Sequence, residues 1–151
     1  MYFYYAHGAQ EVNIVKMSEN GWNHCFLGWT IQSGALTEIF IEILTIRDGS
    51  MGMGAARELA MGCNSYKHPS LLTYLCRDGS ITAHQPTIHP HNRVKPRDMI
   101  RVRVNRQSNK INWFIGQQMV GETDLTIMPQ NEPLYFVVTM FWKGDSVRVH
   151  L

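Results

Sequence analysis

The chain has 151 residues, 44% of them hydrophobic and 17% charged. That composition excludes a disordered chain, and the length suits one domain with a sizeable core better than two. Formal net charge is only +2, and no apolar run approaches the ~20 residues of a membrane-spanning helix.

The opening MYFYYAHG lacks the basic and apolar regions of a secretory signal, so none is expected. Residues 1–11 read as a flanking strand or arm. Val12, Ile14 and Lys16 then alternate with polar neighbours up to SENGW, whose Asn-Gly pair predicts a hairpin turn. In TEIFIEILTI, residues 37–46, Ile39, Ile41 and Ile43 share one face, with Phe40, Glu42 and Leu44 on the other. RDGS closes that strand as a turn. MGMGAA, residues 51–56, reads as a strand whose glycines admit a neighbouring backbone. ARELAMG supports one helical turn at most. LLTYLCRDGSITAH predicts strand, Asp-Gly turn and strand, followed by a Pro- and His-rich connection. From Asp98, Ile100, Val102 and Val104 alternate with Arg101, Arg103 and Asn105, and a polar turn leads into a second apolar run. LYFVVTMFWKGDSVRVHL supplies two closing strands around Lys143-Gly144-Asp145. Many short strands between turn signals predict an all-β protein, a two-sheet antiparallel sandwich or a barrel.

The positive charge is local. Residues 93–110 hold Arg93, Lys95, Arg97, Arg101, Arg103, Arg106 and Lys110 against Asp98, a balance of +6. The remaining residues hold seven basic and eleven acidic side chains, a balance of −4. With Ile100, Val102 and Val104 pointing inward, Arg101 and Arg103 point outward. That face is either ordinary sheet decoration or a platform for an acidic protein or RNA. Trp113, one residue from Phe114, faces the opposite side of its strand; on the outer side it would add a surface for base stacking. Trp22 and Trp29 are read as core.

Cys25, Cys63 and Cys76 are odd in number and widely spaced, which fits no disulfide framework and points to a reducing, intracellular compartment. They are read as core or half-buried thiols. His84, His89 and His91, with His68, are the nearest approach to a metal set. Pro86 and Pro90 keep that segment extended, and no thiol or carboxylate stands at ligand spacing, so a solvated loop is expected. No nucleophile elbow, phosphate loop or zinc-protease motif is present. No catalytic residue, metal, cofactor or small-molecule substrate is expected.

Four blocks of the chain, in order, resemble the SPRY domain, the core of B30.2 modules. They are IFIEILTIRDGSMGMGAA at Phe40, Glu42, Gly52 and Gly54, and YKHPSLLTYLCRDGSI at Tyr74, Asp78 and Gly79. RDMIRVRVNRQSNKINWFIGQQMVGETDL follows at Asp98, Ile100, Phe114, Gly116 and Gly121, and EPLYFVVTMFWKGDSVRVHL at Leu134, Tyr135, Gly144 and Val147. The resemblance covers roughly residues 12–151. Arg97, Arg101, Arg103, Ile115 and Phe136 depart from the family pattern, and the usual closing Asn-Phe-Gly is absent where the sequence stops at Leu151, as expected of a trimmed domain or a minimal subunit. The resemblance implies a single two-sheet antiparallel sandwich that binds protein partners through loops at one end, without catalysis, within a larger chain or complex. It implies contact roles for Trp142, Lys143 and Gly144 in the last inter-strand turn, and for Tyr66, Lys67, Arg77 and Asp78 in neighbouring loops. A Trp at a loop tip is a rigid anchor of large area, the residue type that dominates binding hot spots. The structural alternative is a Trp142 packed beneath its turn.

Overall fold

Alternating side chains become strands throughout the residues that the computed structural model describes. These are residues 2–4, 11–31, 36–82, 94–125, 128–129 and 131–150, with 2–4 and 28–30 described by backbone alone. The strands are β1 (Tyr2–Tyr4), β2 (Glu11–Val15), β3 (Asn23–Ile31), β4 (Leu36–Thr45), β5 (Met51–Arg57) and β6 (Leu71–Leu75). They continue with β7 (Met99–Asn105), β8 (Lys110–Ile115), β9 (Gln118–Asp124), β10 (Leu134–Met140) and β11 (Ser146–His150). ARELAMG contributes one 3-10 turn, Glu58–Ala60. No helix among the described residues is long and apolar enough to cross a membrane.

The strands form two stacked sheets. One has the order β1-β3-β10-β5-β6 and the other β2-β11-β4-β7-β8-β9. All pairings are antiparallel except β1 with β3. Period-two alternation decides what faces inward. Ile39, Ile41 and Ile43 of β4 and Ile100, Val102 and Val104 of β7 are fully or almost fully buried between the sheets. The five-stranded sheet carries a second, smaller core on its outer side, where Phe26, Ala56, Leu71 and Val137 lie with Ala60 of the 3-10 turn.

Close approach of the strands depends on glycine at Gly54. A Cβ built there would sit 1.9 Å from the Leu72 carbonyl oxygen on β6, a distance no side chain tolerates. Trp113 ties the sheets together: its indole Nε1 crosses from β8 to donate to the Met53 carbonyl of β5 at 2.8 Å.

Two expectations need correction. Asn20-Gly21 closes no hairpin, because β2 and β3 belong to different sheets and the turn carries the chain between them. The strand expected after Asp78-Gly79 is, among the described residues, a single bridge between Tyr74 and Ile81. The loop histidines His84, His89 and His91 lie outside the described residues, as does Arg93.

Candidate functional site

Four connections meet at one end of the sandwich, and backbone hydrogen bonds knit them together. The Lys16 amide donates to the Asp145 carbonyl at 3.0 Å, and the Gly144 amide returns to the Lys16 carbonyl at 2.8 Å. Phe141 N donates to Ser50 O, Gly21 N to Phe141 O and Cys76 N to Met51 O. The turns 47–50 and 77–80 have the same four residues, Arg-Asp-Gly-Ser, and the same geometry. Asp48 Oδ1 accepts from the Ser50 amide at 2.9 Å and Asp78 Oδ1 from the Ser80 amide at 2.9 Å. Gly49 has φ +85°, and a Cβ there would come within 2.5 Å of Arg77 Cα. One turn therefore stacks directly on the other, and only glycine permits it.

On this base sits a chain of partly exposed aromatic rings drawn from three connections. Tyr66 lies 4.6 Å from Trp22, Trp22 packs edge-on to Phe141 at 5.6 Å, and Phe141 edge-on to Trp142 at 4.9 Å. Cations flank both ends: the Lys67 ammonium stands 5.6 Å from the Tyr66 ring and the Arg47 guanidinium 4.7 Å from the Trp142 ring. Lys143 is exposed and pairs with Glu19 at 3.7 Å.

The site's electrostatics are balanced rather than basic. Burial alone would push the Asp48 carboxyl up, but the Ser50 hydroxyl and amide, the Trp142 indole and the Arg77 charge together hold it below its ordinary value. Asp145 is 2% exposed. Burial pushes its carboxyl up against the opposing pull of the Arg47 amide and charge. Two polar atoms here are sealed from solvent without a hydrogen bond of good geometry, Trp142 Nε1 and Asp145 Oδ2.

Tyr66, Lys67, Arg77, Asp78, Trp142, Lys143 and Gly144 thus all fall at this end. Gly144 has φ +93°, with open space where a Cβ would stand. Sequence reading assigned Trp22 to the core, and the structure corrects this: it links Tyr66 to Phe141. Phe141 and Arg47 were missed. Phe141 adjoins Trp142 and could have been suspected on that ground; nothing local marks Arg47, which reaches Trp142 across a separate loop.

The basic face does not assemble as the charge count suggested. Arg101 and Arg103 do point outward, yet both converge on Glu38 of β4, at 4.0 and 3.2 Å. Both also cover the Phe114 ring, at 4.0 and 5.1 Å from its centre. Lys110 pairs with Glu122 of β9 at 3.3 Å. Two expected members are not on this face at all. Arg106 is 4% exposed, its guanidinium donating to the carbonyls of Pro129 and Glu132 at 3.2 Å each. Trp113 is fully buried: it stands opposite Val102 in the β7–β8 register, so it shares Val102's inward face and offers no surface to a base. Lys95 and Arg97 are exposed in the turn before β7. Among the described residues no cluster of His, Cys, Asp or Glu could hold a metal ion.

No family model matches the sequence, and no curated protein matches it. Solved structures do match. The chain is similar to the SPRY domain of human HERC1, with TM-score 0.74 and 12% identity over 93% of this chain and 94% of that one. It is also similar to the PSpry domain of TRIM65, with TM-score 0.60 and 14% identity over 85% of this chain and 69% of that one. Shared topology at such low identity is a statement about architecture. The chain has the two-sheet β-sandwich fold of a SPRY domain.

Proposed function

We propose that this chain is a non-enzymatic protein-recognition module that captures a short segment of a partner at the knitted loop end. The observation that carries the reading is the convergence of Trp22, Tyr66, Phe141 and Trp142, all partly exposed, from three separate connections. Rings of this kind supply rigid contact area at little entropy cost and dominate binding energy in small interfaces. The stacked Arg-Asp-Gly-Ser turns keep the base of the site preformed, so little ordering cost opposes binding. SPRY domains are in general protein-interaction modules, which agrees with this reading. Arg47 and Lys67 flank the rings and, with Arg77 and Lys143 in the same loop cluster, would set orientation and association rate more than affinity.

An RNA platform at residues 93–110 has weaker support, since Glu38 and Glu122 neutralise Arg101, Arg103 and Lys110. Co-purification of the intact chain at low and physiological salt, with and without nuclease, tests the choice. A protein partner retained at both salts, insensitive to nuclease and lost with Trp142→Ala is the expected result. Recovery that needs nucleic acid and fails with Arg101→Glu/Arg103→Glu would overturn it.

A further inference from the structure

A cavity of about 260 Å³ lies beside β2, the edge strand of the six-stranded sheet. Residues of both sheets wall it, and its walls are predominantly apolar: Ile14, Val15 and Met17 in and just after β2, and Cys25, Val138 and Met140 on β3 and β10. Val15 and Met17 are exposed and the other four are buried, so the cleft leads from the surface into the core. None of the aromatic rings of the loop end lines it. At about 30 Å³ per non-hydrogen atom, it has room for roughly eight or nine such atoms.

A lysine lines this apolar cleft. Lys16 follows Val12 and Ile14 on the inward face and is 4% exposed. Lysine is almost never buried so deeply unless its charge is paired. Here the ammonium donates to Ser18 Oγ at 2.7 Å, to the Glu19 carbonyl at 2.9 Å and to Asn23 Oδ1. All three acceptors are neutral. Among the described residues no carboxylate lies within 4.0 Å of the ammonium. Burial lowers the Lys16 pKa and the Glu19 charge opposes it, yet the Glu19 carboxylate is 93% exposed and pairs with Lys143. The hydrogen bonds therefore satisfy the N–H groups and leave the buried charge without a counter-ion.

An apolar cleft with one uncompensated cation in its wall is complementary to an aliphatic chain that ends in an anion. A carboxylate matches the single charge of the ammonium. It would replace the Ser18 hydroxyl as an acceptor and make a charge-assisted bond in its place, while Ser18 Oγ keeps Asn23 Oδ1 as a partner at 2.7 Å. We infer that this cleft binds a free aliphatic monocarboxylate of about eight carbons, with its tail among Ile14, Cys25, Val138 and Met140 and its head at the Lys16 ammonium. The site is separate from the ring cluster of the loop end, and its occupancy does not depend on the recognition role proposed there.

The test is a nuclear magnetic resonance titration of the folded chain with sodium octanoate, 1-octanol and octylammonium chloride, read at the methyl groups of Ile14, Val138 and Met140. Octanoate should move all three, with a dissociation constant on the order of 0.1–1 mM for a ligand of this size. It should bind about tenfold more tightly than 1-octanol, which lacks the charge-assisted bond, and octylammonium should bind more weakly still. Lys16→Met, which keeps an unbranched side chain and removes the charge, should bring octanoate down to the level of 1-octanol. Should Lys16→Met fail to fold by circular dichroism, the order of the three ligands on the unaltered chain decides alone. Equal affinity for the three, or no shift at these methyls with 10 mM octanoate, would overturn the proposal. So would undiminished octanoate binding in folded Lys16→Met, or octanoate shifts confined to Trp22 and Trp142. Methyl shifts that follow protein concentration without ligand would assign the cleft to a second copy of the chain instead.

Discussion

The placement of Trp113 makes a quantitative prediction. Trp113→Phe keeps an aromatic ring between the sheets but removes the N–H that reaches Met53 O at 2.8 Å. Losing a buried hydrogen bond costs about 1 kcal/mol. The smaller ring leaves a void on the order of 40 Å³, because Tyr74 at 6.1 Å and the Gly121 backbone are themselves locked in place; at about 24 cal/mol per Å³ that adds ~1 kcal/mol. The sum, about 2 kcal/mol, should lower Tm by roughly 4–8 °C for a domain of this size. Urea unfolding followed by far-ultraviolet circular dichroism measures it, with the slope m unchanged. On the outer face, Phe114→Leu loses only the stacking of Arg101 and Arg103 and should cost less than about 1 kcal/mol. If Phe114→Leu proved the more damaging of the two and Trp113→Phe near neutral, the assignment of inner and outer faces on β8 would be wrong.

Gly54→Ala should destabilise by about 3 kcal/mol or more, or prevent folding, because its methyl would meet the Leu72 carbonyl at 1.9 Å. Gly52→Ala, whose nearest contact is 3.1 Å, should cost clearly less in the same urea assay. His24 links stability to pH: between its native value of about 4 and the ordinary 6.5, the unfolded chain binds a proton that the native chain does not. Stability is therefore complete above about pH 6.5 and declines as pH falls towards 4, by at most about 1.4 kcal/mol per pH unit. His24→Gln should flatten that slope, and identical slopes for the two proteins would contradict the burial of His24. Arg101→Gln/Arg103→Gln should lower the unfolding free energy measured in urea by less than about 1 kcal/mol, as expected for exposed pairs on a shared carboxylate; a larger loss would mean that the pairs on Glu38 support the sheet.

The sequence by itself determined strands such as β4 and β7 and the faces they present, because burying one side of a sheet forces a period-two pattern that local composition displays. Ile39, Ile41 and Ile43 of β4 and Ile100, Val102 and Val104 of β7 are inward in the pattern and inward in the fold. The loop end was legible through the SPRY resemblance, down to Trp142 and Tyr66. Tertiary structure decided everything that depends on pairing across distance. Trp113 is inside because the β7–β8 register sets it against Val102; Ile111, two residues earlier on the same face, was the local signal that could have placed it. Arg101 and Arg103 looked like a free cationic stripe because their counter-charge, Glu38, comes from a strand some sixty residues earlier. Arg106, read as a surface charge, is buried because its guanidinium meets the carbonyls of Pro129 and Glu132. A charge count along the chain sums neighbours in sequence, whereas the field a partner meets sums neighbours in space.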